Sequence, residues 1–171
     1  LTLSGHTGSI TKWQSSTDGT TWNDIANTAS TYTATNLTQT TQYRAVVTSG
    51  ACSAANSSSA TVTVNATSVG GSIAGAATVC TGTNSTVLTL SGHTGSVTKW
   101  QSSTDGTTWN DIANTASTYT ASNLTVTTQY RAVVTSGVCS AANSASATVT
   151  VSALPTFSGN ALNLDGSNDY V

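Results

Sequence analysis

The sequence is written nearly twice. Residues 1–65 align with 88–152 at a constant offset of 87, and only six positions differ: Ile10/Val97, Thr35/Ser122, Gln39/Val126, Ala51/Val138, Ser58/Ala145 and Asn65/Ser152. Three of these exchange one aliphatic or one hydroxyl side chain for another, and the rest fall where turns or outward positions are expected. Whatever fold the chain adopts must therefore be built from a unit of that period. Copy two is preceded by Ser68–Val87 (SVGGSIAGAATVCTGTNSTV), which has no counterpart before Leu1, and the text after Ser152 matches nothing upstream. The expected organisation is a truncated repeat over 1–65 with its first strands missing, a complete repeat over 66–152, and a linker with the start of a further domain over 153–171.

Composition then limits what one unit can be. Charged residues make up only 6% of the chain, with 4 Lys+Arg and 6 acids that are all Asp, against roughly 25% in an ordinary soluble domain. A long amphipathic helix needs Lys and Glu on its wet face, and they are lacking. Thr and Ser together supply 63 of the 171 residues, and Thr favours strands. Four scattered cations at a net charge of −2 cannot neutralise a run of phosphates, so nucleic acid is excluded as a partner. No apolar run is long enough to make a membrane-spanning helix. The low net charge and the regular recurrence of Trp, Tyr and Val also argue against disorder.

Within the complete unit, alternation and turn signals predict strands at Thr78–Cys80, Val87–Leu90, Val97–Ser103, Thr108–Ile112, Ser117–Ala121, Thr127–Thr135 and Ser146–Val151. Asp105-Gly106 reads as a hairpin turn between the third and fourth. Short strands with turn signals at this spacing predict an all-β fold, tandem immunoglobulin-like β-sandwiches with a period of 87 residues. Trp100, midway along the third strand, and Tyr130, opening the penultimate strand after Asn123-Leu124, take the places of a core tryptophan and a tyrosine corner. Trp13 and Tyr43 are their counterparts in copy one.

Three cysteines are present, Cys52, Cys80 and Cys139, of which Cys52 and Cys139 are equivalent. The expectation is a Cys80–Cys139 disulfide within the complete unit, with the partner of Cys52 lying outside the fragment. Such a bridge suits an oxidising, extracytoplasmic setting. The alternative is a pair of separate reduced thiols. Two Cys and a distant His93 are too few for a metal, and no metal or cofactor is called for.

The W-x-S-S-T-D-G-x-T-W motif (Trp13–Trp22 and Trp100–Trp109) and the T-x-Y-R-A-V-V strand carry a resemblance over residues 1–152. They resemble the immunoglobulin-like repeats of Bacteroidota cell-surface proteins, the SprB-like gliding-motility adhesins and related type IX secretion substrates. That resemblance implies export, an extracellular place on the outer-membrane-associated cell surface, and membership of a long surface fibre. The segment Asn160–Val171 (NALNLDGSNDYV) is similar to the opening strand of laminin-G/concanavalin-like jelly rolls, which implies a lectin-like domain further on.

Candidate chemistry is sparse. His6 and His93 sit in SGHTG turns beside Ser4 and Ser91, but no Gly-x-Ser-x-Gly elbow is present and no carboxylates are paired at fixed spacing, so an exposed turn histidine is expected and not an enzyme. Asp24 and Asp111, in W-N-D-I, could contribute to a calcium site, yet an oxygen cage needs several carboxylates together. Lys99 and Arg131 should turn outward and pair with Asp111 or Asp105 at the surface. Trp22 and Trp109 are the best binding candidates: exposed, each would offer a platform for sugars or partner proteins; otherwise it covers the sandwich edge with Ile112. The reading is a structural stalk of a large secreted adhesin that spaces an adhesive domain from the cell, its partners being neighbouring repeats of the same chain and an extracellular glycan or surface ligand. Two rivals remain, repeats that are themselves binding modules, and spacers of a secreted multidomain enzyme.

Overall fold

The computed structural model describes residues 1–153; the expected jelly-roll strand at 160–171 lies outside them. The chain divides into two compact units, Leu1–Thr67 with Gly137–Cys139, and Ser68–Ser136 with the residues from Ser140 on. The described residues are all-β, in tandem β-sandwich repeats. None of them forms a helix long and apolar enough to cross a membrane.

The first unit holds β1 (Ser9–Ser16), β2 (Asn23–Ile25), β3 (Thr41–Thr48), β4 (Ala55–Asn56) and β5 (Ala60–Val62), in one sheet of order β2-β1-β3-β4 with β5 also on β3. The second unit adds elements at its N-terminal side: β6 (Ser72–Ala74), β7 (Thr78–Cys80) and β8 (Ser85–Ser91). It continues with β9 (Ser96–Ser103), β10 (Asn110–Ile112), β11 (Thr118–Ser122), β12 (Thr128–Thr135), β13 (Ala142–Asn143) and β14 (Ala147–Ser152). One sheet runs β10-β9-β12-β14-β7, with β13 on β12, and the other runs β11-β8-β6. The pairing of β8 with β11 on one side, and of β9, β12 and β14 on the other, is that of an immunoglobulin-type sandwich. Between β6, antiparallel to β8, and β7, parallel to β14, the chain crosses from one sheet to the other.

Period-two alternation builds the core. Leu88 and Leu90 point inward from β8, and they meet Trp100, Tyr130, Ala132, Val134, Ala147 and Val149 from the facing sheet. In β9 the strict alternation fails, because Val97 and Trp100, three residues apart, are both buried. The cause is a bulge: Lys99 pairs with Val133 and Val97 with Val134, so Thr98 has no partner in the register. The Thr98 hydroxyl donates to the Val133 carbonyl at 3.1 Å, as Thr11 does to Val46 in the first unit. Trp100 is fully buried, and its indole N–H donates to the Ala116 carbonyl at 2.9 Å. Tyr119 bridges Trp100 and Tyr130, with ring centroids 5.7 and 5.4 Å apart. Trp13, Tyr32 and Tyr43 repeat that arrangement.

Two expectations need correction. The first is the Cys80–Cys139 disulfide: all three cysteines are free thiols. Cys80 pairs with Ser152 at the end of β14, whose Val149 faces Thr128, the first residue of β12. Cys139 lies in the turn that leaves the other end of β12 for β13. The eight residues of β12 therefore hold the two thiols roughly 20 Å or more apart, whereas a disulfide needs Cα atoms within about 7 Å. The parallel β7–β14 pairing, which the sequence did not announce, puts Cys80 at the wrong pole. The second concerns only the width of the Asp-Gly hairpin, which does join antiparallel β9 and β10. Asp105 accepts from the backbone N–H of Thr107 and of Thr108, at 2.8 and 2.7 Å, so those residues curl around its carboxylate and the return strand begins only at Asn110. The Asp side chain thus makes a wide loop in place of a two-residue turn.

Candidate functional site

The polar side chains of the unit gather on the outer face of β10, β9 and β12. Antiparallel register sets Asp111 opposite Gln101, and Gln101 opposite Arg131, so three strands contribute one row. Lys99 Nζ lies 2.8 Å from Asp111 Oδ2, and Gln101 Nε2 donates to Asp111 Oδ1 at 2.7 Å. Arg131 Nε donates to Gln101 Oε1 at 2.7 Å, and its guanidinium sits 4.1 Å over the Trp109 ring. The first unit carries the same chain of contacts through Lys12, Asp24, Gln14, Arg44 and Trp22, with the guanidinium 3.9 Å from the ring centre.

Each charge in this row is already satisfied. Both carboxylate oxygens of Asp111 have donors, and Lys99 followed by Gln101 holds its carboxyl below the usual carboxylate range. For Asp24 the Gln14 amide is the larger cause and Lys12 the next. Asp105 is held well below that range by the amides of Thr107 and Thr108 and by the Ser103 hydroxyl; Asp18 is held the same way by Thr21, Thr20 and Ser16. A carboxylate that accepts several hydrogen bonds is stabilised as the anion, so these groups stand deprotonated near neutral pH and are weak bases. Burial, with Tyr119 beside it, raises the Tyr130 phenol, and burial with Tyr32 raises Tyr43.

Trp13, Trp100, Tyr43 and Tyr130 are buried core residues. Trp22 and Trp109 are half-buried, and neither fully exposed nor edge covers, because an arginine lies on one ring face. Ile112, without Trp109, packs on the core. Lys99 finds Asp111, while Arg131 takes Gln101 and Trp109 instead of an acid. His6 is exposed, but His93 is half-buried and its Nδ1 has no hydrogen-bond partner; the Gly71 backbone lies against its amide. Among the described residues no three His, Cys, Asp or Glu groups come together as a metal site. Sequence reasoning missed Tyr32 and Tyr119 as the middle rings of the aromatic rows. Period-two alternation within T-Y-T-A was the available signal for Tyr119.

In the first unit a cleft of about 390 Å³ opens beside Leu3, Gly5, Val47, Cys52 and Asn56. A second hollow, reaching Trp13 and Tyr43, shares Leu3, Ser4, Ser57 and Ser58 with it.

One family model, described as "Domain of unknown function (DUF8696)", matches residues 1–66 and again 69–153. No curated protein matches the chain. Among solved structures, the chain is similar to a Ca²⁺-stabilized adhesin that helps an Antarctic bacterium reach out and bind ice, at 10% identity and a TM-score of 0.35. That match covers 90% of this chain and 43% of the other, so the chain spans less than half of its length.

Proposed function

Since the chain belongs to the family described as a domain of unknown function (DUF8696), whose model it matches twice, we propose that it is part of the structural stalk of a large secreted cell-surface adhesin. The stalk spaces an adhesive, lectin-like domain from the cell in gliding or surface attachment. Neighbouring repeats are its partners along the chain, and the ligand is an extracellular glycan or surface group taken by the domain the stalk carries. The units work as mechanical spacers and perform no catalysis.

The observation that carries this reading is the repeated row of satisfied side chains. The residues best able to bind or react, Lys99, Asp111, Arg131 and Trp109, engage one another, and the first unit repeats the engagement atom for atom. A row spanning three strands braces the sheet against shear. The almost uncharged Thr and Ser surface limits attraction between neighbouring fibres and to a charged cell envelope. The motif resemblance to Bacteroidota surface repeats supports the extracellular setting and the type IX export route.

Single-molecule pulling combined with a glycan array tests the proposal. The expected outcome is cooperative unfolding of the second unit at a defined force, and no saturable glycan binding by the chain. Saturable binding that Trp22→Ala and Trp109→Ala abolish would overturn it in favour of a binding module.

A further inference from the structure

The complete repeat carries two cysteines, and the fold sends them to opposite poles. The chain enters the second unit at Ser68, whose Oγ accepts from the Ser136 amide at 2.9 Å, just beyond β12. Cys139 lies in the turn that follows, at this entry pole. β14 runs the other way along β12 and pairs in parallel with β7, so Cys80 stands beside Ser152, where the repeat ends. The Thr81 N–H donates to the Ser152 carbonyl there at 3.0 Å.

In a tandem chain the exit of one repeat is the entry of the next. The first compact unit shows which groups meet at that point, because it takes in Gly137–Cys139 together with Leu1–Thr67. Cys139 Sγ lies 3.4 Å from the Ala66 carbonyl and 3.9 Å from that of Asn65. Gly137, at a φ of +53°, packs so closely on the Asn65 side chain that a Cβ would collide with it. The period of 87 makes Asn65 the counterpart of Ser152 and Ala66 that of Ala153. Cys139 therefore approaches the same carbonyl, at the end of one repeat, that Cys80 and Thr81 flank at the end of the other. A cysteine of the Cys80 kind set opposite Asn65 would stand one strand spacing away, about 4.8 Å, with Cys139 at the same peptide.

We propose that consecutive repeats are joined by a disulfide between the Cys80-type thiol of one repeat and the Cys139-type thiol of the next. The oxidant is an external disulfide. One cysteine thiolate attacks it and expels half of it as a thiolate, which leaves a mixed disulfide on the chain. The second cysteine thiolate attacks that mixed disulfide and expels the other half. The two cysteines thus give up two protons and two electrons, and the external disulfide becomes two thiols. The bridge pins the junction and leaves each sandwich without an internal crosslink, as the opposite poles of Cys80 and Cys139 require. This inference rests on the tandem register and not on the stalk reading, which survives its failure.

The test is the whole chain with a second copy of Ser68–Val87 joined ahead of Leu1, oxidised with glutathione disulfide and digested with trypsin. Cleavage after Lys12, Arg44, Lys99 and Arg131 puts the added cysteine in the first peptide, Cys52 and Cys80 in 45–99, and Cys139 in the peptide that begins at Ala132. The expected link joins the first peptide to the one with Cys139. That link should outnumber every other intrachain disulfide by about tenfold or more, since the fold sets its effective concentration. Cys139→Ser should abolish it and Cys52→Ser should leave it. A link from the added cysteine to 45–99, or no preference among the thiols, would overturn the proposal. In the unextended chain carrying Cys52→Ser and Cys80→Ser, a nitroxide on Cys139 should broaden the amide signals of Asn65 and Ala66 and spare those of Val151 and Ser152. Sharp signals at Asn65 and Ala66 would overturn the proposal even where the extended chain fails to fold.

Discussion

Arg131 lies with its guanidinium 4.1 Å from the centre of the Trp109 ring, while its Nε donates to Gln101. The arginine thus ties the loop bearing Trp109 to the sheet and covers the ring face that a sugar would stack on. Arg131→Ala should therefore destabilise the second unit by about 0.5–1 kcal/mol, read from urea midpoints. It should also make Trp109 fluorescence more accessible to acrylamide. Arg131→Lys should restore little of either, because an ammonium lacks the planar fork that serves Gln101 and the ring together. Unchanged quenching in Arg131→Ala would show that the ring is screened by something else.

Trp100 is the largest fully buried side chain of the second unit. Trp100→Ala should cost about 3–5 kcal/mol, through lost burial and a cavity between the sheets. It also leaves the Ala116 carbonyl without its indole donor. Chemical denaturation of the variant against the parent chain measures this, and a loss below about 1 kcal/mol would mean that the site collapses around the gap.

Acid stability follows from the loop aspartates. Asp105 and Asp18 have folded-state pKa values depressed from 3.8, so the unfolded state binds protons first as the pH falls. The stability they contribute is complete above the unfolded value and is lost as pH drops below it toward the folded one. Denaturation midpoints should be flat from pH 8 to about 5 and fall from about pH 4 downward. Asp18→Asn with Asp105→Asn should flatten that fall. An unaltered acid slope in the double variant would place the dependence elsewhere.

The thiols make a chemical prediction. Cys52 and Cys80 are exposed and Cys139 is half-buried, so all three should react with a thiol reagent in the folded chain, Cys139 most slowly. Because β12 separates Cys80 from Cys139, oxidation should give no crosslinked peptide joining those two. Adding reductant should leave the stability of the second unit unchanged. Peptide mapping after mild oxidation is the measurement, and a Cys80–Cys139 peptide would contradict the strand order of the sheet.

Much of this was legible in the chain. The repeat, the all-β class, the core positions of Trp100 and Tyr130 and the outward Lys99–Asp111 pair follow from alternation and turn residues, which act within a few positions. The Thr98 bulge was not legible, because it is defined only by what β12 places opposite β9. The arginine cover on Trp109 was hidden for a related reason: Trp109 stands in a loop whose course is set by Asp105, and Arg131 reaches it from a strand 22 residues away. The disulfide expectation failed because equivalence between copies says which cysteines correspond and nothing about which pole of a sandwich each occupies.

The copies themselves separate local from tertiary causes. Ser-Thr-Tyr-Thr-Ala occurs at Ser30–Ala34 and at Ser117–Ala121. In the second copy it lies largely within a five-residue strand, β11, and Ala121 is fully buried. In the first it makes a single bridge, Thr2 to Thr31, and Ala34 is only half-buried. Likewise Ala147–Ser152 is a strand of six residues where its counterpart Ala60–Val62 has three. The sequence alone determined most of the inward side chains, Trp100 and Tyr130 among them, since the pleat that sets them is local. In the second unit those inward faces are closed by β6 on β8 and β7 on β14, pairings between distant segments that only the tertiary structure decides, because a strand is completed only by the neighbour that takes its hydrogen bonds and covers its apolar side.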